Sequence, residues 1–199
     1  MIPSTRLVIL SITSALIAGA VAAANDKEFK VGAAADYAHQ SGERVTIGAK
    51  AFNTEELTAE VFGKKVDLLR YGVLPVLVVI ENKRSEALDL RDLEVNLVAA
   101  DGRHVTSVNP EDIPFLARHA HRPPPVQTPI PLPKKGNPLN SPGIVTRAFS
   151  ARMLPPGDSA YGFFYFEARS ESGDKLYLNG LHDARSGQDV LYFEFPLEQ

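Results

Sequence analysis

Alternating apolar and polar residues recur along the chain, and they predict a series of short β-strands. In residues 45–51 every second side chain is apolar, which is the period of a half-buried strand. Residues 93–99 repeat this alternation. Residues 73–83 instead contain an unbroken apolar run at 76–80, which indicates a strand covered on both faces. Pro75 should lie at the start or edge of that strand, because proline cannot donate to a sheet ladder.

One segment, residues 54–62, has a helical pattern instead. Asn53 precedes it and Glu56 follows three positions later, which is the arrangement of a capping box. Gly63 can end the helix, since glycine readily adopts the conformation needed there. A short apolar stripe along the segment comprises Leu57, Val61 and Phe62.

Turn residues divide the rest of the chain. Asp101-Gly102 is a two-residue hairpin signal between residues 93–99 and 103–108. Asn109-Pro110 favours a short helical turn over residues 111–118, because proline is tolerated at the first helical position. Further strands are predicted in residues 144–154, 161–168, 175–180 and 190–195.

The elements together predict a mainly β fold. Several short strands separated by Gly, Pro and Asp turns indicate an antiparallel sandwich or barrel. We expect an immunoglobulin-like β-sandwich, with the helix of residues 54–62 as an insertion. The chain contains no tryptophan and no cysteine, which excludes the antibody branch of that fold and any disulfide.

The N-terminus has the layout of a secretory signal peptide. Residues 7–24 carry no charge, follow Arg6 and end in small residues. Both Ala20-Val21-Ala22 and Ala22-Ala23-Ala24 fit a cleavage site. The sequence therefore predicts a signal peptide over residues 1–24 and export to the periplasm or beyond. A retained membrane anchor is the alternative, since the apolar run nearly reaches a spanning length of roughly 20 residues.

The mature chain is expected to form one domain. Residues 25–42 lack sustained periodicity and are predicted to be a flexible lead-in, with the sandwich domain over 43–199. Residues 122–143 contain eight of the fifteen prolines, which favours an exposed, polyproline-like loop. We interpret it as a loop inside one domain rather than a linker, because neither flank has enough strands to cover its own sheet.

Three segments carry a resemblance to a known class of proteins: residues 67–90, 152–168 and 176–195. They resemble uncharacterised bacterial secreted or lipid-anchored envelope proteins with an immunoglobulin-like β-sandwich. The shared pattern is a hydrophobic strand ending in Asn and a Leu-x-Pro-Gly turn before an aromatic strand, here with Pro155-Pro156 before Gly157. The resemblance, over about residues 66–196, implies the fold and transfers no functional residues.

Charge and residue types narrow the possible partners. The formal net charge is −3, which disfavours a nucleic-acid partner because such partners require a basic face.

His119 and His121 could share a metal ion, but a zinc site usually needs at least three protein ligands. Nothing in the spacing selects a third ligand, and we expect a solvated loop without metal or cofactor. The possible further ligands are His39, His104, His182, Glu111 and Asp112.

No catalytic motif is present. The chain lacks a Gly-x-Ser-x-Gly elbow and a glycine-rich phosphate loop, and Ser186-Gly187 is typical of a hairpin turn. The acidic pairs Glu55-Glu56 and Glu111-Asp112 fit the first turns of predicted helices, where they complement the dipole. We therefore assign no catalytic, cofactor-binding or metal-binding residues.

An aromatic cluster and the proline-rich loop remain as possible binding surfaces. Phe164 and Phe166 share one face of a predicted strand, and Tyr161, Phe163 and Tyr165 share the other. We expect both faces to be covered, although one could be an exposed platform for a partner or carbohydrate. The rest of the cluster is Tyr177, Tyr192, Phe193 and Phe195.

These observations predict a non-catalytic binding or accessory module of the bacterial envelope. Its partner would be a protein or a surface polymer, held by the proline-rich loop or an aromatic sheet face, with no contact to the membrane after signal cleavage. The alternative is a hydrolase or metal-dependent enzyme whose site is assembled from residues dispersed in the sequence. A deep pocket with convergent polar groups would favour the enzyme.

Overall fold

The computed structural model describes residues 29–116, 136–190 and 192–197. The strands are β1 Ala38–Gly42, β2 Val45–Ala51, β3 Val73–Asn82, β4 Leu88–Asp89, β5 Glu94–Val98, β6 His104–Thr106, β7 Met153–Leu154, β8 Ser159–Glu167, β9 Lys175–Asn179, β10 His182–Asp183 and β11 Phe193–Pro196. The α-helices are α1 Glu55–Phe62, α2 Ile113–Leu116 and α3 Pro142–Thr146. Short 3-10 turns occupy Ala34–Asp36 and Leu69–Tyr71.

The strands form an antiparallel β-sandwich. The first sheet has the order β1-β2-β3-β8, and the second sheet has the order β11-β9-β5-β6. A smaller sheet, β10-β4-β7, lies beside them. All pairings between these strands are antiparallel, and apolar side chains from both four-stranded sheets meet in one core. The predicted mainly β, antiparallel sandwich is therefore confirmed.

Strand β3 is buried on both faces, as its unbroken apolar run predicted. Its residues 74, 76, 78 and 80 enter the core between the two sheets. The alternate residues 73, 77 and 79 enter a second core under a helical layer, made of α1, α2, α3 and their connecting residues. Successive side chains of a strand point to opposite faces, so one apolar strand serves both cores.

Helix α1 confirms the helical prediction, with its start one residue later than expected. Thr54 is the N-cap, and its hydroxyl accepts a hydrogen bond from the Leu57 backbone N–H at 3.3 Å. The expected capping box between Asn53 and Glu56 is wrong, because the third helical residue after Thr54 is an apolar leucine. Gly63 ends the helix with φ 88°, as predicted.

The segment before residue 44 departs from the expected flexible lead-in. Residues 38–42 form β1 and pair with β2 across a turn at Glu43 and Arg44, both of which have positive φ. Two-residue hairpins of this kind usually carry Asn-Gly, so the sequence lacked their signal. Ala34 is fully buried against Gly48, and its backbone N–H donates to Glu81 Oε1 at 2.8 Å.

Residues 136–154 also differ from the prediction of an exposed loop followed by a strand. Leu139 is fully buried in the second core, and Pro142 opens α3, where its missing N–H costs nothing. Ile144 of this helix is buried with Leu139. The predicted strand over 144–154 is therefore wrong except at β7, because a proline at the first helical position starts a helix here. Residues 122–135 of the proline-rich loop lie outside the described residues.

Two further turn predictions agree with the structure. Asp101-Gly102 lies in the turn from β5 into β6, with Gly102 at φ 84°, although Ala99 N–H donates to Arg103 O and the loop is longer than two residues. Helix α2 lies within the helical turn predicted after Asn109-Pro110.

The prediction for Pro75 is wrong. It is the third residue of β3, a central strand, and lies neither at the strand's start nor at a sheet edge. It is paired with Tyr165 of β8, and its carbonyl accepts from the Phe52 N–H just beyond the end of β2.

Strand edges are covered by neighbouring segments. The outer edge of β8 pairs with residues 147–149 and with Val108, whose N–H donates to Tyr165 O at 2.7 Å. Where the edges of the two sheets meet, the Glu194 N–H at β11 donates to Gln40 Oε1 of β1 at 2.7 Å. Within the described ranges, no helix is long and apolar enough to span a membrane. The predicted signal peptide lies outside those ranges and stays a prediction.

Candidate functional site

Two tyrosines form an aromatic pair on the outer side of the second sheet. Tyr177 of β9 lies between buried Leu176 and Leu178, so its side chain points away from the core. Tyr192 precedes buried Phe193 in the same way and is 59% exposed. The two rings lie 5.7 Å apart at an angle of 33°. They form an amphipathic surface of two rings held by adjacent strands.

Polar side chains flank this pair through the strand register. Tyr177 is paired with Asn96 of β5 on one side and Glu194 of β11 on the other. In the next row, Asn179 is paired with Glu94, and its amide Nδ2 lies 3.4 Å from Glu94 Oε2. We call Tyr177, Tyr192, Asn96, Asn179 and Glu94 the tyrosine face.

A recess of about 460 Å³ opens beside Tyr192. Its lining includes Asn179, His182, Asp189 and Val190. The Oδ1 atom of Asn179 is buried and has no hydrogen-bond partner in the described part of the chain. A buried acceptor without a partner costs free energy, so this oxygen is an energetically unfavourable point beside the recess.

His182 lies at the wall of this recess between two carboxylates. Its Nδ1 is 2.7 Å from Asp189 Oδ1, and its Nε2 is 3.6 Å from Asp92 Oδ2. These contacts are ion pairs only when the imidazole is protonated. The two contacts orient the imidazole, because each of its ring nitrogens faces a carboxylate.

Asp89, in the small sheet near His182, provides a pH-dependent contribution to stability. Hydrogen bonds from the Arg91 side chain, and then from its backbone N–H, lower the pKa of Asp89 from 3.8 to about 2. A lowered pKa means that the contribution is complete above about pH 4 and is lost as the pH falls towards 2. We expect Asp89→Asn to lower the thermal midpoint at pH 7, and this difference to shrink towards pH 2. Thermal melts across that range measure it.

The matched control for this prediction is Asp112→Asn, which changes an exposed carboxylate ahead of α2. Its thermal midpoint should differ from that of the unmodified protein by about the same small amount at every pH. A difference between Asp89→Asn and the unmodified protein that stays constant down to pH 2 would contradict the role of the Arg91 contact.

A second cavity, of about 660 Å³, lies on the first sheet and away from the tyrosine face. Its lining includes Phe29, Arg147, Tyr161 and Phe163. Tyr161 is 60% exposed at the mouth, whereas Phe163 is buried in the second core. The cavity thus combines an aromatic floor with one cationic side chain.

The histidines singled out by the sequence do not come together in the described residues. His39, His104 and His182 lie in β1, β6 and β10, while His119 and His121 fall outside those residues. No group of three or more His, Cys, Asp or Glu side chains in residues 29–116, 136–190 and 192–197 is arranged to hold a metal ion. The prediction that His119 and His121 bind no metal stays untested.

Ser186 serves a turn, as its sequence context predicted. Its backbone N–H and its hydroxyl both donate to Asp183 Oδ1, at 2.8 and 3.0 Å. The Asp183 pKa is lowered chiefly by the backbone N–H of Ser186. Glu55 and Glu56 lie in the first turn of α1, whereas Glu111-Asp112 precedes α2 instead of starting it.

The aromatic strand β8 is covered on both faces along residues 163–166, as expected, whereas Tyr161 near its start is 60% exposed. Phe166 is buried between the sheets, whereas Phe163 and Tyr165 face the helical layer. The Tyr165 hydroxyl donates to Ile144 O at 2.7 Å, and burial raises its pKa. The outward-facing aromatic pair combines Tyr177 of β9 with Tyr192, the residue before β11, and alternation along a single strand could not identify it.

No protein-family model matches the sequence, and no curated protein matches it. Among solved structures, the chain is similar to MPT63, a secreted protein from Mycobacterium tuberculosis, with 15% identity, a TM-score of 0.35, and coverage of 84% of this chain and 98% of that one.

The chain is also similar to YcdA, a candidate lipoprotein from Bacillus subtilis subsp. subtilis str. 168. The identity is 12% and the TM-score 0.38, over 80% of this chain. The matched region spans only 38% of the length of that lipoprotein chain. At these values the two likenesses identify no family, and the immunoglobulin-like topology stays a prediction.

Proposed function

We propose that the protein is an exported, non-catalytic binding module whose tyrosine face binds a neutral surface polysaccharide. The observation that carries this proposal is the outward-facing ring pair of half-buried Tyr177 and exposed Tyr192 beside the amide of Asn179. Export is supported by the charge-free run of residues 7–24 after Arg6.

The chemistry of a sugar fits this surface. Tyrosine rings offer a rigid apolar surface with a polar hydroxyl, which suits the C–H face of a pyranose ring. Asn96 and Asn179 have amide groups that both donate and accept hydrogen bonds. The Oδ1 of Asn179 has no partner and is buried, so a shift of this side chain towards the recess would let it accept from a sugar hydroxyl.

The charges around the pair favour a neutral polymer over an acidic one. Glu94 and Glu194 lie on the same side of the sheet, and Asp189 lines the adjoining recess. The nearby cation, Lys175, is already paired with Glu194 at 2.9 Å. Carboxylates therefore outnumber the paired cation Lys175 on this surface, and their net negative charge disfavours a polyanion.

The proposal assigns binding without catalysis. His182 contacts Asp189 and Asp92, and the described lining of the recess holds no Ser, Thr, Cys or Lys side chain that could act as a nucleophile beside it. Lys175 is engaged by Glu194. Apart from Glu94, the groups of the tyrosine face are rings and amides, which bind and orient a ligand.

Affinity electrophoresis tests the proposal. The mature protein is run in native gels that contain dextran, laminarin or hydroxyethyl cellulose, and in gels that contain dextran sulfate. We expect retardation by at least one neutral polymer and a dissociation constant at least about tenfold higher for Tyr177→Ala/Tyr192→Ala, the loss expected when about 1.4 kcal/mol of stacking is removed.

Tyr161→Ala is the matched control, because it removes an exposed tyrosine from the other sheet. Its retardation should equal that of the unmodified protein. Retardation by none of the neutral polymers, stronger binding to dextran sulfate than to dextran, or an unchanged dissociation constant for the double variant would each contradict the proposal.

A further inference from the structure

The cavity of about 660 Å³ on the first sheet is built into the fold rather than formed by mobile side chains. Residues 147–149 run beside β8 and pair with it: Phe163 N–H donates to Arg147 O at 2.9 Å, and Phe149 N–H donates to Phe163 O at 3.1 Å. Gly162 allows this approach, because a Cβ there would overlap the Phe149 backbone. The backbone of Arg147 is therefore fixed at the cavity wall.

The floor of the cavity is a packed group of aromatic rings. Phe29 lies 6.0 Å from Phe163, and Phe163 packs edge-on against Phe52 and Phe62 at 5.0 and 5.1 Å. Phe163 is only 3% exposed, so it belongs to the second core and cannot move freely. A ligand with a planar apolar body would find a preformed surface of two rings here.

Arg147 gives the cavity a positive charge. It has no ion-pair partner among the described residues, in contrast to Arg84, Arg91 and Arg103, each of which is paired with a carboxylate. The described lining includes no carboxylate, and three hydroxyl groups complete its polar part. These hydroxyls belong to Thr146, Ser150 and Tyr161.

We propose that this cavity binds a small aromatic anion, with its carboxylate or sulfonate on Arg147 and its ring on Phe29 and Phe163. A guanidinium presents a planar fork of donors that matches such an anion. The hydroxyls around it offer further hydrogen bonds. The volume lies in the range of about 300–1,000 Å³ that is typical of small-molecule sites. The site is separate from the tyrosine face, which lies on the other sheet.

Two fluorescent probes with similar bodies test the assignment. The anion 1-anilinonaphthalene-8-sulfonate carries a sulfonate, whereas N-phenyl-1-naphthylamine has the same rings without it. We expect saturable binding of the sulfonate to the folded mature protein. Arg147→Gln should raise its dissociation constant about tenfold and leave that of the neutral amine nearly unchanged. Ser150→Trp, which places a ring at an exposed lining position, should weaken the binding of both probes.

Arg152→Gln is the control, because it removes an exposed arginine close in sequence. Thermal melts of every variant establish that the probes report on folded protein. No saturable sulfonate binding, an equal effect of Arg147→Gln and Arg152→Gln, or equal losses for both probes in Arg147→Gln would overturn the proposal.

Discussion

Replacement of Asn82 by alanine is expected to lower the free energy of unfolding by about 3 kcal/mol. The Nδ2 group of Asn82 donates to the carbonyls of Glu86, Leu154 and Pro155 at 2.9, 3.0 and 3.2 Å. Its Oδ1 accepts from the Arg84 N–H at 3.1 Å, and the residue is only 1% exposed. Alanine would leave these groups, which belong to two separate turns, without their partner.

Thermal melts and chemical denaturation measure this effect, and a loss of about 3 kcal/mol corresponds to a fall of about 10 °C in Tm. Asn82→Asp keeps the shape and the acceptor but removes the donors at neutral pH, so it should cost at least as much as alanine. Asn140→Ala, at an exposed loop position, is the control and should change Tm little. Wild-type stability in Asn82→Asp would show that the three carbonyl contacts do not hold the turns together.

Gly48→Ala is expected to detach the N-terminal segment from the first sheet. A Cβ at position 48 would overlap the backbone of Ala34, which cannot move without giving up its hydrogen bond to Glu81. Overpacking of this kind typically costs about 1–3 kcal/mol, and we expect the upper end because the obstacle is backbone. Amide hydrogen exchange should accelerate in residues 34–42 more than in β3.

Gly143→Ala is the matched control. A Cβ there would meet only Ser141 Oγ at 3.6 Å, an ordinary contact, and the position lies inside α3. Alanine has the higher helix propensity, so this variant should be neutral or slightly stabilising. If Gly48→Ala left exchange in residues 34–42 unchanged, the close approach of Ala34 would not be what holds this segment.

The sequence correctly predicted those elements whose local residue pattern is enough to define them. The run at 76–80 predicted a strand covered on both faces, and Asp101-Gly102 predicted the β5–β6 hairpin. Strand β1 was not predicted, because its residues show no apolar alternation and because the turn after it has positive φ at Glu43 and Arg44 without a glycine. Its place in the sheet depends on pairing with β2, which a linear pattern does not contain.

Helix α3 was not predicted from the sequence either. Pro142 belongs to the proline-rich residues 122–143, which indicated a loop, but proline at the first helical position also starts helices. The candidate sites were still less accessible to sequence reasoning. Tyr177 and Tyr192 could be named as aromatic residues, but their contact requires β9 and β11 to be neighbours. The unpartnered oxygen of Asn179 is a property of the packed structure alone.

The covered edge of β8 has a consequence for self-association. A bare edge strand presents unpaired N–H and C=O groups on which a second chain can add a strand. Residues 147–149 and Val108 occupy those groups along β8, and Gln40 takes one N–H at β11. A strongly aromatic strand, which would otherwise be a template for fibril-like stacking, is thereby hidden from other copies of the chain. The backbone pairing of residues 147–149 with β8, which also fixes Arg147, therefore disfavours edge-to-edge aggregation of this strand.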